Sequence, residues 1–211
     1  GPITREMPGH WKAYLLSKAY RPETINSMLS ALNRFFNFLG WRDFHVKYLR
    51  IQRRLFRNEK KELTKEDYNR LLDTARNQGK ERLALLMETI CATGIRVSEL
   101  KYITVEAIQS GRVEISLKGK IRTILLHGKL CKKLRKYATK KKITSGEIFL
   151  TRSGKGLTRR QIWAEMKALC GKAGVAETKV YPHNLRHLFA QTFYRIYKDV
   201  VHLADVLGHA S

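Results

Sequence analysis

Residues Val113–Leu126, VEISLKGKIRTILL, decide the fold class of this chain. Two β-branched-rich runs, Val113–Leu117 and Ile121–Leu126, are joined by Lys118-Gly119-Lys120, and together they read as one antiparallel hairpin. On both sides of it the pattern is helical. Upstream, Thr64 with Asp67 three residues on is a capping signal before Tyr68, Leu71, Leu72 and Ala75. A second helix covers roughly 81–91, Thr93-Gly94 breaks it, and Val97–Tyr102 forms a short third. Downstream, helices resume near 130–138, 158–171, 184–197 and 199–207. One hairpin set among helices predicts a mainly α fold, with a small antiparallel β-sheet in a mostly-α domain over residues 62–211.

Farther from the hairpin, Ile25, Met28, Leu29, Leu32, Phe35, Phe36 and Leu39 repeat at helical spacing up to Gly40. Trp11, Tyr14, Leu15 and Leu16 suggest a shorter helix before it, so residues 1–45 read as part of a small helical domain. Residues 46–61 carry seven Lys and Arg, among them Arg53 and Arg54, without a sustained period. That stretch is expected to be a basic linker suited to lie along a phosphate backbone. Gly1-Pro2 has the form of a protease-cleavage remnant.

The 211 residues include 42 Lys and Arg against 18 Asp and Glu, a formal net charge of +24, with an ordinary 43% of hydrophobic residues. A globular chain this basic repels itself unless a polyanion lies beside it, and nucleic acid is the partner expected. No apolar run of about 18 residues is present, so no helical membrane span is expected. Arg5, Glu6, His10 and Lys12 interrupt any signal-peptide pattern, and a cytoplasmic protein is expected. Cys91, Cys131 and Cys170 lack metal-ligand or CxxC spacing and read as reduced, buried thiols.

Four segments carry candidate chemistry: Ala92–Leu100 (ATGIRVSEL), the Lys118-Gly119-Lys120 turn, His183–His187 (HNLRH) and Leu207-Gly208-His209. Each is weak alone. In this order they resemble the tyrosine recombinases, the family of the lambda-type integrases and the Xer recombinases, over about Glu62 to the C-terminus. Within that family the likeness is greatest to integrases of bacterial mobile elements. The resemblance implies the DNA breaking–rejoining fold, with residues 1–45 as part of a core-binding domain and the two domains clamping DNA.

It also implies a site. Transesterification at a phosphodiester builds negative charge on the phosphate oxygens, which paired guanidinium donors of fixed geometry stabilise. Arg96 and Arg186 match the family's arginine pair. Lys118 matches the lysine that protonates the 5′-oxygen leaving group, with Lys120 as the alternative. His183 matches the first histidine, which assists proton transfer with the attacking tyrosine, and His209 the second, which donates to the phosphate. Glu99, one turn after Arg96, can orient it or remain a surface acid. Arg53, Arg54, Lys120, Arg122, Lys155, Arg159 and Arg160 are the candidates for contacts to nucleic acid, the last three clustering at the Thr158 cap. Trp163, with Ile162, Met166 and Leu169, reads as a packed helix face, and Tyr194 and Tyr197 as core or interface residues.

The resemblance implies cleavage through a 3′-phosphotyrosine without metal or other cofactor, on specific double-stranded sites, by a protein that pairs into a homo-oligomer on DNA. The family's nucleophile follows the Leu207-Gly208-His209 segment, whereas the chain ends at Ser211. The expectation is therefore a fragment truncated before its nucleophile, able to bind DNA and unable to cut it. The alternatives are a type IB topoisomerase, a catalytically silent sequence-specific DNA-binding protein on the same fold, and a generic basic nucleic-acid-binding module. Incubation with a nicked suicide duplex, read on a denaturing gel, is expected to leave no covalent adduct on this chain; a robust adduct would contradict the expectation.

Overall fold

The computed structural model describes residues 3–51, 62–117 and 120–208, and of Leu117 and Lys120 only the backbone. The chain divides into two compact units, residues 1–57 and 58–211.

In the first unit, α1 (Met7–Ser17) and α2 (Pro22–Phe38) are joined at Lys18–Arg21. Both begin with proline in the first turn, where the missing amide hydrogen leaves no bond unmade. Leu15, Ile25 and Leu29 form a small buried cluster, against which Met28, Val46 and Leu49 pack. Two asparagines on one face of α2 clasp the segment that follows. Asn33 accepts from the Val46 amide at 2.9 Å and donates to its carbonyl at 3.0 Å. Asn26 does the same for Leu49, at 2.8 and 2.9 Å. The expected linker began at Val46; these paired amide bonds instead fasten residues 46–49 to α2. Residues 52–61, with Arg53 and Arg54, lie outside the described residues.

The second unit is built on α4 (Glu81–Thr93), whose Leu83, Ala84, Leu85, Leu86, Met87 and Ile90 are all buried. A helix apolar around most of its circumference belongs inside a core. Against it lie α3 (Lys65–Asn77), α6 (Gly128–Lys140), α7 (Arg159–Lys167) and α9 (Pro182–Tyr197). The Thr64 capping box forms as read: Thr64 Oγ1 accepts from the Asp67 amide at 3.1 Å, and Asp67 Oδ2 from the Thr64 amide at 3.3 Å. Past the break at Gly94, Val97–Tyr102 is a 3-10 turn, followed by α5 (Val105–Ser110), a short helix that the local pattern does not predict.

The hairpin pairs β1 (Arg112–Leu117) with β2 (Lys120–Leu125) in antiparallel register, Val113 opposite Ile124 and Ile115 opposite Arg122. Val113, Ile115 and Ile124 are buried, so this face, Arg122 included, turns inward. The expected helix over 158–171 divides into α7 and the short α8 (Cys170–Ala173), and α10 (Val200–Leu207) closes the described chain. Among the described residues no helix is long and apolar enough to cross a membrane. Cys131 and Cys170 are buried, Cys91 is partly so, and all three are free thiols; burial pushes the Cys91 thiol up to about 11.

Leu86 is fully buried at the centre of this core. Leu86→Ala is expected to lower the unfolding free energy by about 2–5 kcal/mol, read as an earlier urea midpoint.

Candidate active site

Three guanidiniums from distant parts of the sequence meet around one buried carboxylate. Glu99, 1% exposed, sits in the 3-10 turn after Gly94. Its Oε1 accepts from Arg96 Nη1 at 2.9 Å, and its Oε2 accepts from the Arg96 amide at 2.9 Å and from Arg122 Nη2 at 2.6 Å. Arg186, buried on α9, donates to the Gly94 carbonyl and to the Leu207 carbonyl, the latter at 2.6 Å. Arg122 donates to the same Leu207 carbonyl, and Arg96 Nη2 to the Gly208 carbonyl at 3.1 Å. The C-terminal end of α10, where unsatisfied carbonyls give a negative dipole end, thus supplies the acceptors that Glu99 alone cannot.

Backbone geometry permits the convergence. Gly94 ends α4 at φ +64°, in the left-handed region, and a Cβ there would meet the Phe189 ring at 2.5 Å. Glycine therefore satisfies two requirements, the turn that aims Arg96 inward and the approach of α9 that brings Arg186 alongside. Gly208 ends α10 in the same way, at φ +61°, against the Arg122 side chain.

The cluster is under-neutralised, three cations to one carboxylate. Burial, reinforced by the charges of Arg96 and Arg122, lowers Arg186 to about 10. Burial also lowers Arg122; Glu99 opposes that shift and Arg96 adds to it. Such a site favours an anion that brings negative charge without displacing Glu99. Arg96, with its side chain 41% exposed, is the member that reaches solvent.

Arg96 and Arg186 also line a cavity of about 820 Å³, together with His183, Tyr181, Arg159 and Arg160. His183, in the first turn of α9, meets the His187 ring edge-on with centroids 4.2 Å apart. The structure thus brings together Arg96, Arg186, His183, Arg159 and Arg160. Lys155 is on the exposed turn closed by the Thr151 amide donating to the Lys155 carbonyl at 2.7 Å, and it does not line the cavity. Lys118 and His209 lie outside the described residues, and Lys120 is placed only as the first residue of β2.

Several side chains stand elsewhere than their sequence context suggested. Glu99 is no surface acid. Arg122, a candidate contact to nucleic acid, is part of the buried cluster, with 12% of its side chain exposed. The signal for this was in the strand alternation: two residues before Ile124, it falls on the inward face. Trp163 does not share the packed face read for it. Ile162 and Met166 are buried, whereas Trp163, about 100° around the helix from Ile162, is 47% exposed. Tyr194 and Tyr197 are exposed as well, so neither belongs to the core. His127 has a structural task that the sequence reading left open, its Nδ1 accepting from the Leu130 amide at 3.2 Å to cap α6.

The model of the phage integrase family matches residues 61–211. Tyrosine recombinase XerD of Brucella suis is 31% identical, with 93% of this chain and 71% of the relative aligned. Tyrosine recombinase XerA of Pyrococcus furiosus is 30% identical over 94% of this chain and 70% of its own length. Among solved structures, the Tn1549 transposon integrase in complex with circular intermediate DNA superposes with a TM-score of 0.77 at 16% identity, covering 99% of this chain and 78% of that one. The XerH site-specific recombinase bound to difH substrate gives a TM-score of 0.74 at 20% identity, covering 99% of this chain and 65% of that one.

Removing the one carboxylate should expose what it holds. Glu99→Gln is expected to lower the unfolding free energy by about 3–5 kcal/mol in urea titrations, as when one partner of a buried ion pair is lost. Adding Arg122→Leu in that background should recover part of the loss, because it removes a cation left without its partner. A double-mutant cycle with no coupling would contradict the shared network.

Proposed function

The chain belongs to the phage integrase family of tyrosine recombinases, and we propose from that premise that it acts in site-specific strand exchange on double-stranded DNA. The observation that carries the reading is Arg96 and Arg122 on Glu99 with Arg186 tied alongside through the Leu207 carbonyl, Arg96 and Arg186 opening beside His183 into the cavity. A phosphodiester is the anion that such a site suits. Its non-bridging oxygens accept paired N–H donors, and its charge offsets the excess of guanidinium.

The chemistry proposed is transesterification. A tyrosine hydroxyl attacks the scissile phosphorus, the P–O5′ bond breaks, and a 3′-phosphotyrosine and a free 5′-hydroxyl result. The reverse attack, by a 5′-hydroxyl of the partner duplex, rejoins the strands. Arg96 and Arg186 hold the non-bridging oxygens as charge develops on them. They are anchored beforehand by Glu99, Gly94 O and Leu207 O, so little reorganisation accompanies the reaction. Arg122 braces Glu99 from the hairpin side. His183 serves as the proton-transfer partner of the attacking tyrosine. From the resemblance of the sequence motifs, Lys118, or Lys120, is proposed to supply the proton for the 5′-oxygen, and His209 a donor to the phosphate. Arg53, Arg54, Arg159, Arg160 and Lys155 are proposed to contact the backbone on either side. Synapsis of two sites calls for a homo-oligomer on DNA, and the setting proposed is a mobile genetic element.

A duplex selected from a randomised pool by binding to the chain provides the substrate. Its affinity should fall steeply with salt, by about 0.9 log unit per log unit of salt for each phosphate neutralised. Nicked as a suicide substrate and incubated in EDTA with the full-length protein, it reports cleavage as a covalent protein–DNA adduct, whose peptide map identifies the nucleophile. Arg96→Ala should slow adduct formation by at least about 10²-fold, the loss of a donor that acts in the transition state, while most binding remains. Adduct formation that ignores Arg96, or that requires a metal, would falsify the mechanism.

A further inference from the structure

The exposed indole of Trp163 has no place in the chemistry above, yet it stands in the same cavity. We propose that Trp163 is the stacking wall of this site, packing against the sugar and base of the deoxynucleotide that adjoins the phosphate held by Arg96 and Arg186. The proposal deepens the reading of the site as one for a DNA phosphodiester and rests on it.

Position comes first. On α7, Trp163 lies four residues after Arg159 and three after Arg160, so one face of the helix presents two guanidiniums and then an indole a turn later. All three line the cavity. The opposite face is spent on the core through Ile162 and Met166, at 1% and 0% exposure, so α7 is anchored without help from Trp163. Lys167, a further turn on, sets its Nζ 5.5 Å from the ring centroid. The indole therefore sits in a row of cations, as base- and sugar-stacking side chains do beside a phosphate track.

The cavity's composition names the ligand class. The apolar part of its wall is Ile95, Val97, Trp163, Tyr181 and Pro182, and the cationic part is the four arginines, with His183 beside them. A free phosphate would use only the cationic part. An apolar peptide would leave four guanidiniums facing it. A deoxynucleotide has both characters in one unit, an anionic diester joined to a flat, largely apolar sugar and base, and about 820 Å³ is room for the diester and a flanking nucleoside.

The chain contains three tryptophans. Trp11→Phe with Trp41→Phe leaves Trp163 as the only indole; Trp41 packs on the Phe44 ring at 5.2 Å, a contact that phenylalanine retains in kind. With the duplex selected from the randomised pool, saturation is expected to change the Trp163 emission and to reduce its quenching by acrylamide. Trp163→Ala should weaken binding by about 5-fold or more, the loss of one stacked base, and Trp163→Phe should restore most of it. Melting curves of both variants should match the parent, because the side chain is outside the core. An indole as open to acrylamide in the complex as in the free chain overturns the proposal and leaves the DNA reading standing. So does a loss on Trp163→Ala that phenylalanine does not restore, which marks a structural role. Selection that recovers no bound duplex overturns the DNA reading, and the proposal with it.

Discussion

One buried carboxylate sets the terms for the second unit. Glu99 accepts three hydrogen bonds, two from Arg96 and one from Arg122. Guanidiniums repel one another, and burial raises the cost because desolvation disfavours each charge. The structure meets that difficulty with one full negative charge and a set of carbonyls, those of Gly94, Leu207 and Gly208. The remainder is an unmet positive potential, directed at solvent through Arg96. A site that binds an anion strongly in a reaction's transition state requires such a remainder.

The parts of this arginine cluster come from four elements, and each has a separate reason to be there. The 3-10 turn follows the left-handed break at Gly94, β2 turns its inward face to the core, α9 packs on α4, and α10 ends at Gly208. The fold thus couples stability to function, since the bonds that hold the arginines also tie the hairpin and the last helix to the centre. Arg122 shows this most clearly, bonded both to Glu99 in the 3-10 turn and to the end of α10.

Around that centre the chain's large positive charge is distributed by task. Buried arginines shape the site, and exposed ones such as Arg159 and Arg160 extend it outward. α7 divides its two faces, the buried one fixing the helix and the exposed one setting cations beside an aromatic plane.

Local signals were sufficient for much of this. Periodicity, the Thr64 cap, the Gly94 break and the Lys118–Lys120 turn determined the helices, the one hairpin and its mainly α setting, because each depends on neighbours in sequence. The family strings determined which arginines and histidines to watch. Tertiary structure alone decided the rest. Whether Glu99 faced solvent or the guanidiniums of Arg96 and Arg122 depended on the hairpin arriving beside it, and Arg122 became a brace because the register placed it opposite Ile115. α5 was invisible because six residues give too short a period to read. The apolar neighbours of Trp163 in sequence do not set its burial, because helix rotation and the packing of α7 choose which side is buried. Segments 46–49 joined the helical unit through asparagine side chains, a pairing that no local pattern announces. Sequence fixes what each short segment prefers; convergence of charges remote in sequence is a property of the packed chain, since only packing sets their distances and their dielectric surroundings.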